Sequence, residues 1–414
     1  MQHSHALLLR RLWNSPYLRQ SSFYAGLQMV AQMLLGSFQV WALAHYLPRE
    51  SYGIWGYCGA LAAIVSLFTL PGMGQVVTYG AARQYDGVLM AAVRVRLAFG
   101  TLTTLSLLGM ALAHFLSGEQ QAAGLLLLTA LFLPAQMALD SMDAFLAGLG
   151  NFRALFWRRL LAQGSMALAL WIGVSQTSSL LICGAILYGG GLLVSLILFL
   201  TLLKHRRNRD LPDDFKGLSQ QFSWQSIGST IGYNMERPLL SFFTTFNEMA
   251  AYNLALAAQL PVGMGRLVER ILVSRLADRR LGISPAQVLW GMGVLFGLGA
   301  LGYALLVPLL YLLIPLLLPH YEDAIPLMAI LLLQMPSVWA TSLGMSWLLA
   351  QPQNHLWYHR ITWGIVVARI LFITIGALSG GIQGVAWSWV LLEGGHALLL
   401  LLLCRRLARA PHHP

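Results

Sequence analysis

Long apolar stretches, broken by short polar connections, set the pattern of the whole chain. Twelve of them run over 22–47, 53–80, 97–116, 122–147, 155–174, 180–203, 219–246, 249–276, 286–318, 325–350, 356–378 and 382–403. A helix that crosses the hydrocarbon of a bilayer needs about 20 predominantly apolar residues. The pattern therefore predicts an all-α polytopic membrane protein of about twelve transmembrane helices.

The charges between the stretches alternate in sign. One set of connections carries Arg10, Arg11 and Arg19; Arg83, Arg94 and Arg96; Arg153, Arg158 and Arg159; Lys204, Arg206, Arg207, Arg209 and Lys216; Arg275, Arg279 and Arg280; Arg360; and Arg405, Arg406 and Arg409. The other set has Arg49 as its only Lys or Arg, with acids at Glu50, Glu119, Glu248, Glu322 and Asp323. Lys and Arg collect on the cytoplasmic side of membrane proteins. Both termini of a multi-pass protein are thus expected in the cytoplasm, with an even number of spans.

The longest cytoplasmic connection, 204–217, is strongly basic and falls midway. It reads as a linker between two six-helix lobes, 1–203 and 218–414. The halves look related. Tyr52-Gly53-Ile54-Trp55-Gly56 opens the second stretch, and Tyr252-Asn253-Leu254-Ala255-Leu256 lies early in the eighth. Six spans per half keep both halves in one orientation, so a pseudo-two-fold would run along the membrane normal.

Composition agrees. Hydrophobic residues make up 57% of the 414, charged residues only 10%, and the mean hydropathy is +0.66. Soluble domains carry about 25% charged residues. The net charge of +11 is accounted for by topology and by anionic lipid headgroups, so nucleic acid is not expected as a partner. The first 20 residues lack a cleavage site before the first apolar stretch and read as an interfacial helix on the cytoplasmic face. Cys58, Cys183 and Cys404 show no disulfide or zinc spacing, and no cofactor is expected.

Several segments resemble one family. Tyr46-Leu47-Pro48-Arg49-Glu50-Ser51-Tyr52-Gly53-Ile54-Trp55 is similar to the turn after the first span of polysaccharide flippases. Gly72-Met73-Gly74-Gln75 through Arg83 resembles their second span and its basic exit. Gly148-Leu149-Gly150-Asn151-Phe152-Arg153 resembles the turn after span four. Glu236-Arg237-Pro238-Leu239-Leu240 with Ala251-Tyr252 resembles the acid-arginine pair of span seven and the start of span eight. The family is the Wzx-like branch of the multidrug/oligosaccharidyl-lipid/polysaccharide exporter superfamily. The resemblance implies a two-lobed fold that opens alternately to each side. It also implies an undecaprenyl-pyrophosphate-type oligosaccharide as cargo. Membrane lipids and other polysaccharide-assembly proteins are the further partners it suggests. The first stretch holds no carboxylate, only Gln28, Gln32, Gln39 and His45, which argues against cation-coupled drug export.

Ionisable groups within the stretches are the candidate functional residues, because each costs about 2.5–3.5 kcal/mol on insertion scales. Glu236 and Arg237 lie well inside the seventh stretch, beside the helix-kinking Pro238. Arg237 reads either as a ligand for a phosphate or acidic sugar in a cavity, or as a structural partner of another helix. In the eighth stretch Arg266, Glu269 and Arg270 share one helix face at i, i+3 and i+4. They read either as a cationic patch for pyrophosphate or as side chains reaching the headgroups. Asp140 and Asp143, near the inner end of the fourth stretch, read as partners of Arg158 or Arg159, or as proton carriers. Arg369 and Glu393 lie at similar depth in the last two stretches and read as a lock between them.

No P-loop or zinc-helix pattern is present, and no sizeable outer loop offers room for chemistry, so no enzyme is expected. The sequence favours a flippase working by alternating access. A multidrug or small-solute antiporter of the same fold, or a non-transporting scaffold in envelope assembly, are the alternatives.

Overall fold

A computed structural model of the chain describes residues 16–203, 208–265, 284–350 and 355–409. Nearly all of these are helical, and no strand occurs among them. The described helices divide into two compact units that part between Pro238 and Leu239.

The first unit holds α1 (Pro16–Tyr46), α2 (Arg49–Val65), α3 (Met73–Ala82), α4 (Gly87–Leu116), α5 (Gln120–Leu139), α6 (Ser141–Gly148), α7 (Phe152–Thr177), α8 (Leu180–Gly184), α9 (Gly191–Leu203) and α10 (Phe215–Asn234). α11 (Glu236–Leu240) straddles the division. The second unit holds α12 (Phe246–Leu256), α13 (Gln259–Val262), α14 (Pro285–Leu317), α15 (Ile325–Leu332), α16 (Met335–Ala350) and α17 (His355–Arg409). In the first unit α1 packs on α7, α4 on α5, and α10 on α2 and α3. In the second, α16 packs between α14 and α17.

Eight stretches of described helix are long and apolar enough to cross a membrane. The last counts twice, because α17 is broken at Gly380 and Gly381, where φ of +53° at Gly381 suits a residue without Cβ. The described parts of the fifth, seventh and eighth expected stretches are largely helical as well, yet they do not pass on apolarity. α7 begins with Arg153, Arg158 and Arg159, and α10 is rich in Ser and Gln. A polar helix at membrane depth must face protein or water rather than lipid.

Local signals place the helix ends. Gly150 takes φ +70° after α6, and the Asn151 side chain accepts the Ala154 N–H at 3.1 Å to start α7. This gives the Gly148–Arg153 motif a structural role. Thr245 and Glu248 form a capping box at α12, and Ser284 and Gln287 form one at α14.

Burial is selective. Met73, Val77, Val88, Leu89, Phe145 and Leu146 form a core where α3, α4 and α6 meet. In α14 only Val288, Met292, Gly299 and Ile314 are buried. Its other faces present Leu301, Leu305, Leu312 and Leu316, all more than half exposed. So broad an apolar surface fits lipid, not water.

Candidate functional site

The seventh expected stretch is interrupted where its charges lie. α10 stops at Asn234, Met235 separates it from α11, and Pro238 follows within that single turn. Glu236 is buried. Arg237 is half-buried, and its Nη1 donates to the Gly56 carbonyl of α2 at 3.2 Å. Its Nε is shielded and has no partner among the described residues. A guanidinium carries five N–H donors, so one carbonyl leaves most of its capacity unused.

Next to Gly56 stands Trp55, whose ring lies over Tyr188 at 6.2 Å between centroids and 28° between planes. Tyr188 sits in a π-helical turn, Ala185–Gly190, between α8 and α9. Such turns aim a side chain away from the regular helical register. Both rings are half-buried. This aromatic pair, one residue along α2 from the carbonyl that Arg237 binds, escaped the sequence reading. The run Gly189-Gly190-Gly191 was its only trace.

A second group of charges occupies the junction of α5 and α6. Asp140 sits at the break itself and is exposed; its backbone bonds Gln136 O and the Asp143 N–H, while its carboxylate forms no hydrogen bond or ion pair among the described residues. Arg159 Nε donates to Asp143 Oδ2 at 2.6 Å. Arg158 Nη2 contacts Met142 Sδ at 2.6 Å, while its Nε and Nη1 are shielded without a partner. Arg96 belongs to the same group. The sequence placed it in a basic connection, but α4 begins at Gly87, and Arg96 is only 6% exposed. Its Nη1 donates to Met137 O at 2.7 Å and Ser141 Oγ at 3.1 Å, holding the broken ends of α5 and α6. Of these three guanidiniums only Arg159 pairs with a carboxylate among the described residues.

The third group ties the arms of α17 together. Arg369 Nη2 donates to Glu393 Oε1 at 2.7 Å, with side chains 3% and 5% exposed. The guanidinium lies 4.4 Å from the Trp389 ring centroid. His396 Nδ1 lies 3.5 Å from Glu393 Oε2. Arg266, Glu269 and Arg270 fall outside the described residues. Among the described residues no three His, Cys, Asp or Glu side chains gather as a metal site requires.

No family model matches the chain, and no curated protein sequence matches it. Solved structures do. An inward-facing multidrug-resistance MATE transporter of the MOP superfamily aligns with a TM-score of 0.68 and 14% identity, over 92% of this chain and 94% of that one. An outward-facing structure of such a transporter gives 0.69 and 13%, over 96% and 97%. The lipid II flippase MurJ, inward closed, gives 0.63 and 15%, over 94% and 88%. The chain is an all-helical membrane protein with the two-lobe transporter fold that MATE transporters and MurJ share.

Proposed function

We propose that the chain is a flippase that carries a lipid-linked oligosaccharide, of the undecaprenyl-pyrophosphate type, across the bacterial inner membrane by alternating access. The observation that carries the reading is Arg237: a guanidinium at a helix break within the membrane, bound to a single carbonyl. Guanidinium binds phosphate in a bidentate fork. A cationic site of this kind suits an anionic head while the lipid tail stays in the bilayer. Trp55 and Tyr188 add aromatic faces suited to the apolar faces of sugar rings. The superposition on a lipid II flippase supports a lipid-borne cargo, and both termini would lie in the cytoplasm.

The MATE superpositions and the unpartnered carboxylate of Asp140 favour a second reading, a cation-coupled antiporter. The two readings part at Arg237. In a flippase-deficient strain, Arg237→Ala should abolish export of surface polysaccharide with normal protein level, and Arg237→Lys should retain part of it. Full export by well-expressed Arg237→Ala would remove Arg237 from the site. Drug resistance lost with Asp140→Asn, without any export phenotype, would favour the antiporter.

A further inference from the structure

We propose that the cleft between the two arms of α17 binds an anionic glycerophospholipid, with the phosphate at Arg360 and one acyl chain lying along the cleft. The site is separate from the Arg237 region and does not depend on what is transported.

The cleft has a volume of about 390 Å³, within the range of sites that take small ligands. Ile365, Phe372, Leu391 and Leu399 furnish apolar walls. Phe372, Leu391 and Leu399 are also 42%, 61% and 48% exposed, so the cleft opens onto an apolar surface. A hydrocarbon chain fits such walls and gains about 0.8 kcal/mol for each buried methylene.

Two polar residues break the lining. Arg360 lines the cleft near the start of α17 and is exposed. It forms no ion pair among the described residues, and its one contact is with the Trp357 ring at 5.7 Å. A Trp beside an Arg is the pairing expected at a headgroup boundary. An uncompensated guanidinium there selects an anionic head over a neutral one.

His396 is the other. Its side chain is 11% exposed, and its Nε2 is shielded without a partner among the described residues. The contact of Arg369 with Glu393 sets the register of the arms, so His396 lies level with Val366. That is about 9 Å deeper than Arg360 at 1.5 Å per residue. An unsatisfied buried ring nitrogen is costly. The glycerol esters of a phospholipid offer oxygen just below the phosphate. A polyprenyl phosphate offers only hydrocarbon there, which decides between the two lipids.

The test uses the full chain in detergent, exposed separately to phosphatidylglycerol, phosphatidylethanolamine and undecaprenyl phosphate, with bound lipid read by native mass spectrometry. One phosphatidylglycerol should be retained in preference to both others. Arg360→Gln should weaken its retention about tenfold, and His396→Leu several-fold. Leu391→Trp, at an exposed position that fills the cleft, should abolish retention without lowering the melting temperature. Equal retention of phosphatidylethanolamine, preferential retention of undecaprenyl phosphate, or phosphatidylglycerol binding unchanged in all three variants would each overturn the proposal.

Discussion

Arg369 and Glu393 show how a membrane interior treats a pair of charges. Each alone would be a buried ion with little water to solvate it, and together they neutralise one another over 2.7 Å. Removing one partner of a buried pair costs about 3–5 kcal/mol. Arg369→Ala and Glu393→Ala should therefore each lower folded yield and melting temperature in detergent. The charge-swapped Arg369→Glu, Glu393→Arg protein should recover part of that loss. A double variant no better than either single one would show that Trp389 and His396, not the pair, set the stability. Arg96 follows the same physics with different partners. It satisfies a carbonyl and a hydroxyl at a helix break instead of a carboxylate.

Among the elements, the crossing of the α17 arms is the tightest described contact. A Cβ on Gly376 would meet Gly384 O and Ser388 Oγ, and one on Gly384 would meet the Gly376 carbonyl. Ser388 Oγ donates across the same crossing to Phe372 O at 2.7 Å. Gly384→Leu should separate the arms and cost at least the 1–3 kcal/mol typical of overpacking, seen as a lower melting temperature. Gly394, with nothing within 4 Å of a built Cβ, is the contrast. Gly394→Ala should be neutral or stabilising by up to about 1 kcal/mol. A Gly384→Leu protein as stable as the parent would mean that the crossing does not hold the arms.

The helices themselves were legible because apolar length needs no knowledge of neighbours. The breaks were legible only in part. The interruption at Met235 follows from Pro238, which leaves the Asn234 carbonyl without its helical donor; the break at Asp140 and the π-helical turn at Ala185–Gly190 were not read from the sequence. Arg96 was misplaced because in sequence it continues a basic connection, and only the backing of α5 and α6 makes it an interior residue. Pro238 and the Gly148–Arg153 turn carried a local signal and were found.

At the scale of the whole molecule, the charge pattern predicts a side of the membrane for every connection. Cysteines introduced at Glu119 and Glu322 should react with an impermeant reagent added from outside, and one at Arg207 should not. Labelling at Arg207 from outside would invert the topology. The same membrane also constrains how the chain is made. The arm holding Arg369 enters the bilayer with a bare guanidinium that insertion scales charge at about 2.5–3.5 kcal/mol. Its counter-charge is synthesised 24 residues later, beyond the turn at Gly380 and Gly381. The two arms therefore gain by leaving the insertion machinery together as a neutral hairpin, so that the pair is committed to the membrane in one step.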